Sequence, residues 1–299
     1  MLTLGEQAQL RLDAFAWLEL KMSSQAWISR EDLLNGYQWR GTRFPLISQQ
    51  RGICNPQALN ETLSILSTAS SKYSDSWEEG TGNFVYDYEA TDPNGGSNRK
   101  LREAFKNSTP IIYFEAIEPG KYVPRFPVYV IGDDFLNRKF VVNLSGAKTQ
   151  AEASIPLDEI EREYAERRVL QRVHQPKFRA QVILAYRQQC AICRLQHVEL
   201  LDAAHILGDR HERGVAAVIN GMALCKIHHA SFDKNIIGIS PDYIVKVNEE
   251  VLKEVDGPML KYGIQAMHDS TIQVPSDKSQ QPSKEFLDIR FQEFQKLSA

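Results

Sequence analysis

A chain of 299 residues, 42% hydrophobic and 24% charged, has the volume for one large or two ordinary cores and needs no disulfide framework to fold. No run approaches the roughly eighteen apolar residues of a membrane span, and the opening MLTLGEQAQLRLDAFAWLELKM lacks the unbroken apolar core of a signal peptide, so a cytoplasmic protein with no membrane partner is expected. The net charge of −3 excludes a global basic field, although residues 161–235 carry twelve Lys/Arg against eight Asp/Glu, a balance of +4 that leaves −7 on the remainder.

The predicted elements, in chain order, begin with an amphipathic helix at the N-terminus. Short apolar pieces with turns at Gly-Thr and Gln-Arg-Gly follow, to about residue 70. From Trp77 to Leu144 the segments NFVYDYEA, TPIIYFEAI, RFPVYVIGDD and KFVVNL read as strands, with one helix in NRKLREAFKN. Such a run predicts a twisted, mostly antiparallel sheet or small barrel. Residues 157–189 are charged and helical, broken by Pro176, and Phe178, Val182 and Tyr186 form an apolar stripe on the second helix. A short strand then ends at His205, a loop closed by Gly208 and Gly214 leads to Asn220-Gly221, and a helix carries His229 and Asp233. IIGISPDYIVKVNEEVL reads as a hairpin, PSDKSQQPSK as a flexible linker and SKEFLDIRFQEFQKL as a C-terminal helix. The whole is an α+β chain in three parts: a β-rich domain over 1–155, a helical connector over 156–176, and a second domain over 177–299.

Three of the four cysteines lie close to one another in the sequence, with histidine beside them. Cys190-Ala-Ile-Cys193 and Cys225-Lys-Ile-His228 are two pairs with the two-residue gap that lets side chains converge on one tetrahedral Zn²⁺. With every ligand position taken by Cys or His, that zinc is expected to be structural.

Between the two knuckles stand DAAHI and Asn-Gly, and the second knuckle continues into LCKIHH and FD. This composite resembles the HNH endonucleases of the ββα-metal fold, over about residues 178–240. The resemblance implies hydrolysis of DNA phosphodiesters, with His205 as the base that takes a proton from water, Asn220 holding that base in orientation, and His229 binding one Mg²⁺ or Mn²⁺. Many family members place a metal-binding residue directly before the base, where this chain has Ala204. Asp202, on the same strand face, and Asp233, one helical turn beyond His229, both offer the missing carboxylate. His197 and His211 have no assigned role and are expected at the surface.

The first domain resembles, more loosely, the SRA domains of the PUA-like superfamily, in its aromatic alternation Phe84, Tyr86, Tyr88, its Asn98 and Leu101, and the strands after Pro110 and PGKYVPRFP. Those domains flip a modified cytosine into a pocket, which implies Trp77, Tyr86, Tyr88, Asp92 and Tyr113 as base-contacting residues. The combination resembles modification-dependent (type IV-like) restriction endonucleases that recognise 5-methylcytosine or 5-hydroxymethylcytosine in double-stranded DNA. Arg167, Arg168, Arg172 and Arg179 are candidate phosphate contacts, and cutting both strands with one site per chain favours a homodimer. Two other readings remain: an HNH nuclease of ordinary sequence specificity, and a zinc-containing DNA reader without catalysis.

Overall fold

The structure, a computed structural model, describes residues 2–67, 82–89, 92–144, 175–208 and 211–298, in two compact units of residues 1–177 and 178–299. Most of the expected connector, 156–174, lies outside the described residues. Among those described, no helix is long and apolar enough to cross a membrane.

In the first unit, α1 (Leu4–Ser24) starts at Thr3, whose hydroxyl accepts from the Glu6 amide while the Glu6 carboxylate accepts from the Thr3 amide. Leu10, Ala14 and Leu18 recur every four residues and are fully buried. Arg11 is buried with them because its guanidinium donates to the carbonyls of Glu61, Thr62 and Pro110, and that burial draws its pKa down to about 10. The stretch expected to hold only short apolar pieces forms a helix, α2 (Arg30–Asn35), and a hairpin, β2–β3 (Tyr37–Trp39, Thr42–Phe44). The helix was concealed by its shortness: its signals are the Ser29 cap, which accepts from the Asp32 amide, and Gly36 at its end.

The seven-stranded sheet comprises β1 (Ile28–Ser29), β4 (Ile53–Cys54), β5 (Ser64–Leu66), β6 (Asn83–Asp87), β7 (Ile111–Glu118), β8 (Lys121–Asp134) and β9 (Lys139–Asn143). Its order is β4-β5-β7-β8-β9-β6 with β1 beside β8, and every pair is antiparallel except β5–β7. The 14-residue β8 pairs with β7 through its first half and with β9 through its second, and register shifts in both ladders let the sheet curl. Ile112 and Phe114 join Leu10, Leu18 and Leu33 on one face; Ile111 and Tyr113 join Phe84, Leu101 and Val130 on the other, where α3 (Gly96–Lys106) packs. Burial on both faces is why β7 is apolar throughout instead of alternating. Glu115 is buried in β7 with Arg125 at 2.7 Å and Lys177 at 2.8 Å; burial alone would raise its pKa, and the two cations outweigh it and lower it.

In the second unit, helical residues 178–185 (α4) pack on a hairpin of β10 (Leu201–His205) and β11 (Gly221–Cys225), in which His205 pairs with Gly221. α5 (Lys226–Asp233) follows β11 directly. A second hairpin, β12–β13 (Ile237–Ile239, Val245–Val247), two short helices, α6 (Glu249–Lys253) and α7 (Pro258–Gly263), and α8 (Lys284–Ser298) complete the unit. Residues 275–284 are not the flexible linker their composition suggested. The Ser283 amide donates to the Ile219 carbonyl, the Tyr243 hydroxyl to the Pro282 carbonyl, and Lys278–Gln280 form a 3₁₀ turn, so the segment is pinned by backbone contacts that its polar side chains do not reveal.

Two glycines allow these packings. A β-carbon on Gly221 would lie 2.6 Å from Val182 and 2.8 Å from Phe178 of α4, and one on Gly238 would lie 2.5 Å from the Phe294 ring of α8. Gly221→Ala is expected to destabilise the protein by about 1–3 kcal/mol through this overpacking, measured as a drop in melting temperature with the far-UV spectrum retained.

Candidate active site

Cys190, Cys193, Cys225 and His228 come together with one donor atom each, all within 4.8 Å of one another. Cys225 and His228 bracket the start of α5, while the turn after α4 brings Cys190 and Cys193 to them; the Ala191 amide donates to Ala223 of β11 across this junction. The His228 Nδ1 lies 3.2 Å from Cys225 Sγ and 3.5 Å from Cys190 Sγ, and its Nε2–H donates to the Gly263 carbonyl at 2.7 Å. That second hydrogen bond fixes the tautomer that leaves Nδ1 for a metal. Three thiolate donors and an imidazole in a closed, largely buried group fit a tetrahedral, soft-ligand cation and leave no open position for chemistry.

A separate cavity of about 650 Å³ opens on the other side of α5 and is lined by His205, Leu207, His211, His229 and Asp233 among others. His205 stands at the end of β10 with its ring stacked on Phe178, centroids 4.1 Å apart and planes 15° apart. His229 follows the metal ligand His228, and the 100° step between helix neighbours turns it away from the cysteine group. Its Nδ1 lies 3.2 Å from Asp202 Oδ2 and its Nε2 3.4 Å from Asp233 Oδ2, so two carboxylates flank one imidazole. Asp202 also takes Lys226 Nζ at 2.6 Å; its partial burial opposes ionisation, but hydrogen bonds from Lys226 and His229 outweigh that and lower its pKa.

Asn220 is fully buried and acts through the main chain. Its Oδ1 accepts from the Leu207 amide and its Nδ2 donates to the Leu207 and Val215 carbonyls, while its own carbonyl accepts from the Ile206 amide. Asn220 thus holds Ile206 through its main-chain carbonyl and Leu207 and Val215 through its side-chain amide, while the His205 ring stacks on Phe178.

Residues 190–240 match the HNH endonuclease family. The chain is also similar to two solved structures. The modification-dependent TagI restriction endonuclease is 14% identical, covers 82% of this chain and 86% of its own, and superposes with a TM-score of 0.33. The type IV phosphorothioation-dependent restriction endonuclease ScoMcrA is 16% identical, covers 62% of this chain and 48% of its own, with a TM-score of 0.23. No curated protein matches the chain. The chain carries an HNH endonuclease domain, and the protein is a metal-dependent DNA endonuclease.

Of the remaining predicted residues, Tyr88 and Tyr113 belong to one apolar cluster of the first unit and Tyr86 packs against it. Tyr113 is 4% exposed against Phe84, with ring centroids 4.6 Å apart, and so has no face open to a base. Tyr88 is also buried, against Phe140, with its hydroxyl held by Asp133 and Arg102. Tyr86 is half-buried and donates to the Leu66 carbonyl, Asp92 is exposed, and Trp77 lies outside the described residues. Alternating aromatics on these strands mostly build the core of the curled sheet. Arg179 donates from Nη2 to the Val198 and Leu201 carbonyls and secures the start of β10. Arg167, Arg168 and Arg172 lie outside the described residues. His197 is exposed beside Glu199, as expected, whereas His211 lines the cavity and is not a surface bystander. Phe178 was visible only as part of an apolar stripe, and Gly263, Arg290 and Glu293 carried no signal because their roles arise from tertiary contacts.

Purified protein is expected to contain about one tightly held divalent ion per chain, and Cys190→Ser to lose it together with cooperative unfolding of the second unit; elemental analysis and a melting curve check both.

Proposed function

We propose that this nuclease is a type IV-like restriction enzyme in which the first unit recognises double-stranded DNA carrying 5-methylcytosine or 5-hydroxymethylcytosine, by base flipping, and the second unit cuts it. The chemistry rests on one observation: His205, His229 and Asp233 line a single cavity, and His229 directly follows His228 of the Cys₃His group, in which we place a structural Zn²⁺. In this reading His205 accepts a proton from the attacking water, whose oxygen bonds to phosphorus as the ester bond breaks and the leaving oxygen takes up a proton. Phe178 holds the imidazole plane and Asn220 holds the chain just beyond it. The nitrogen and carboxylate donors of His229 and Asp233 fit one Mg²⁺ or Mn²⁺, which when bound supplies charge stabilisation at the phosphate and the leaving oxygen.

The choice between the two acids follows from the lining of the cavity. Asp233 shares it with His229 Nε2, whereas Asp202 meets the opposite nitrogen and is held by Lys226. We assign Asp233 as the metal ligand and Asp202 as the acceptor that orients His229 from behind. Asp233→Asn is expected to abolish metal-dependent cutting, and Asp202→Asn to raise the Mn²⁺ concentration for half-maximal cutting about 10–100-fold; the reverse ranking in a Mn²⁺ titration would exchange the two roles.

Recognition of modified cytosine rests on the resemblance of the first unit to SRA domains, and a homodimer would bring two cutting sites to one duplex. The decisive assay incubates the protein and its His205→Ala variant with Mg²⁺ or Mn²⁺ and matched unmodified, 5-methylcytosine, 5-hydroxymethylcytosine and phosphorothioate DNA. Cutting confined to the cytosine-modified DNAs, and lost in His205→Ala, is the expected result. Equal cutting of all four sinks modification dependence and leaves an ordinary HNH nuclease, while no metal-dependent cutting leaves a zinc-containing reader.

A further inference from the structure

The family match ends at residue 240, yet one wall of the catalytic cavity comes from α8, fifty residues further on, through Arg290 and Glu293. Arg290 is rigidly held. Its two terminal nitrogens donate to the Asn235 side chain and to the Phe232 carbonyl at the end of α5, its guanidinium lies over the Phe232 ring at 4.8 Å, and Glu293 is 3.8 Å away. These contacts hold the cation beside the C-terminal end of the helix that carries His229 and Asp233. They occupy only part of a guanidinium with five donor hydrogens.

The cavity presents an electrostatic problem that Arg290 answers. Asp233 and Glu293 both line it, and an entering phosphodiester would meet their negative charge. Among the described residues of that lining, Arg290 is the cation whose charge does not depend on pH. A planar fork fixed in place before substrate arrives suits two phosphate oxygens and loses little freedom on binding them.

We propose that Arg290 contacts the scissile phosphate, so that the nuclease site extends beyond the HNH segment and is completed by the C-terminal helix. This rests on the assignment of the cavity as the cutting site. A helix-capping role alone would use the same Phe232 and Asn235 contacts, so the test must separate capping from catalysis.

The experiment compares the full-length parent, Arg290→Ala and Arg290→Lys on a duplex that the parent cuts in Mn²⁺, reading kcat, KM, metal content and melting temperature. Arg290→Ala is expected to lower kcat about 100- to 1000-fold with KM and bound metal little changed. Lysine should recover part of the rate by restoring the charge, and millimolar guanidinium should do the same for the alanine variant. An alanine variant with the parent's kcat, or one whose loss disappears on cooling below its melting temperature, overturns the proposal and leaves Arg290 a helix cap. A parent that cuts no DNA with metal removes the assignment of the cavity itself, which is a different result from a parent that cuts and an alanine variant that cuts equally.

Discussion

The nuclease unit depends on the convergence of three sulfurs and one imidazole nitrogen around a point between α4, β11 and α5. Without a cation the three cysteines and His228 gain nothing from such proximity, and thiolates held this close repel one another; with one, the four ligands tie three elements together. Cys190 and Cys193 hold the turn after α4, Cys225 the end of β11, and His228 the first turn of α5. Because His229 follows His228 without an intervening residue, the direction in which one imidazole faces sets the direction of the other. In the proposed reading, structure and chemistry thus share a single helical turn, and the cavity histidine inherits the rigidity of the buried one.

The remaining restraints on the site point the same way. Phe178 meets His205 face to face, Gly221 lets α4 approach closely enough for that contact, and Asn220 binds the chain immediately beyond the strand. Asp202 does for His229 what Gly263 does for His228: each engages the ring nitrogen on the side away from the proposed or expected metal. Two neighbouring histidines are therefore oriented by one carboxylate and one main-chain carbonyl, from separate parts of the chain.

Much of the second unit was legible in the sequence because its signals are local. Paired CxxC and CxxH spacings, a strand running into His205 and adjacent histidines at a helix start are all short-range patterns, and the structure brings the four metal ligands together as their spacing predicts. Less could be read where burial is set by distant partners. Alternating aromatics in NFVYDYEA could line a pocket or fill a core, and only the other side of the sheet decides; Phe84 and Tyr113 turn out to pack on each other. The parallel β5–β7 pair joins strands more than forty residues apart, and no turn signal marks it. PSDKSQQPSK misled for the converse reason, since its order comes from main-chain hydrogen bonds to which composition is blind.

The hydrogen bond from His228 to Gly263 bears on where the nuclease module begins and ends. A motif search delimits the segment that carries the signature, but the carbonyl that sets the tautomer of a metal ligand lies more than twenty residues past that limit, and α8 docks on β12 still later in the chain. The compact unit that holds the four ligands together with Gly263 and α8 is accordingly residues 178–299, well beyond the matched segment. A graft trimmed to the recognisable motif would keep the four ligands and lose the scaffold that aims them.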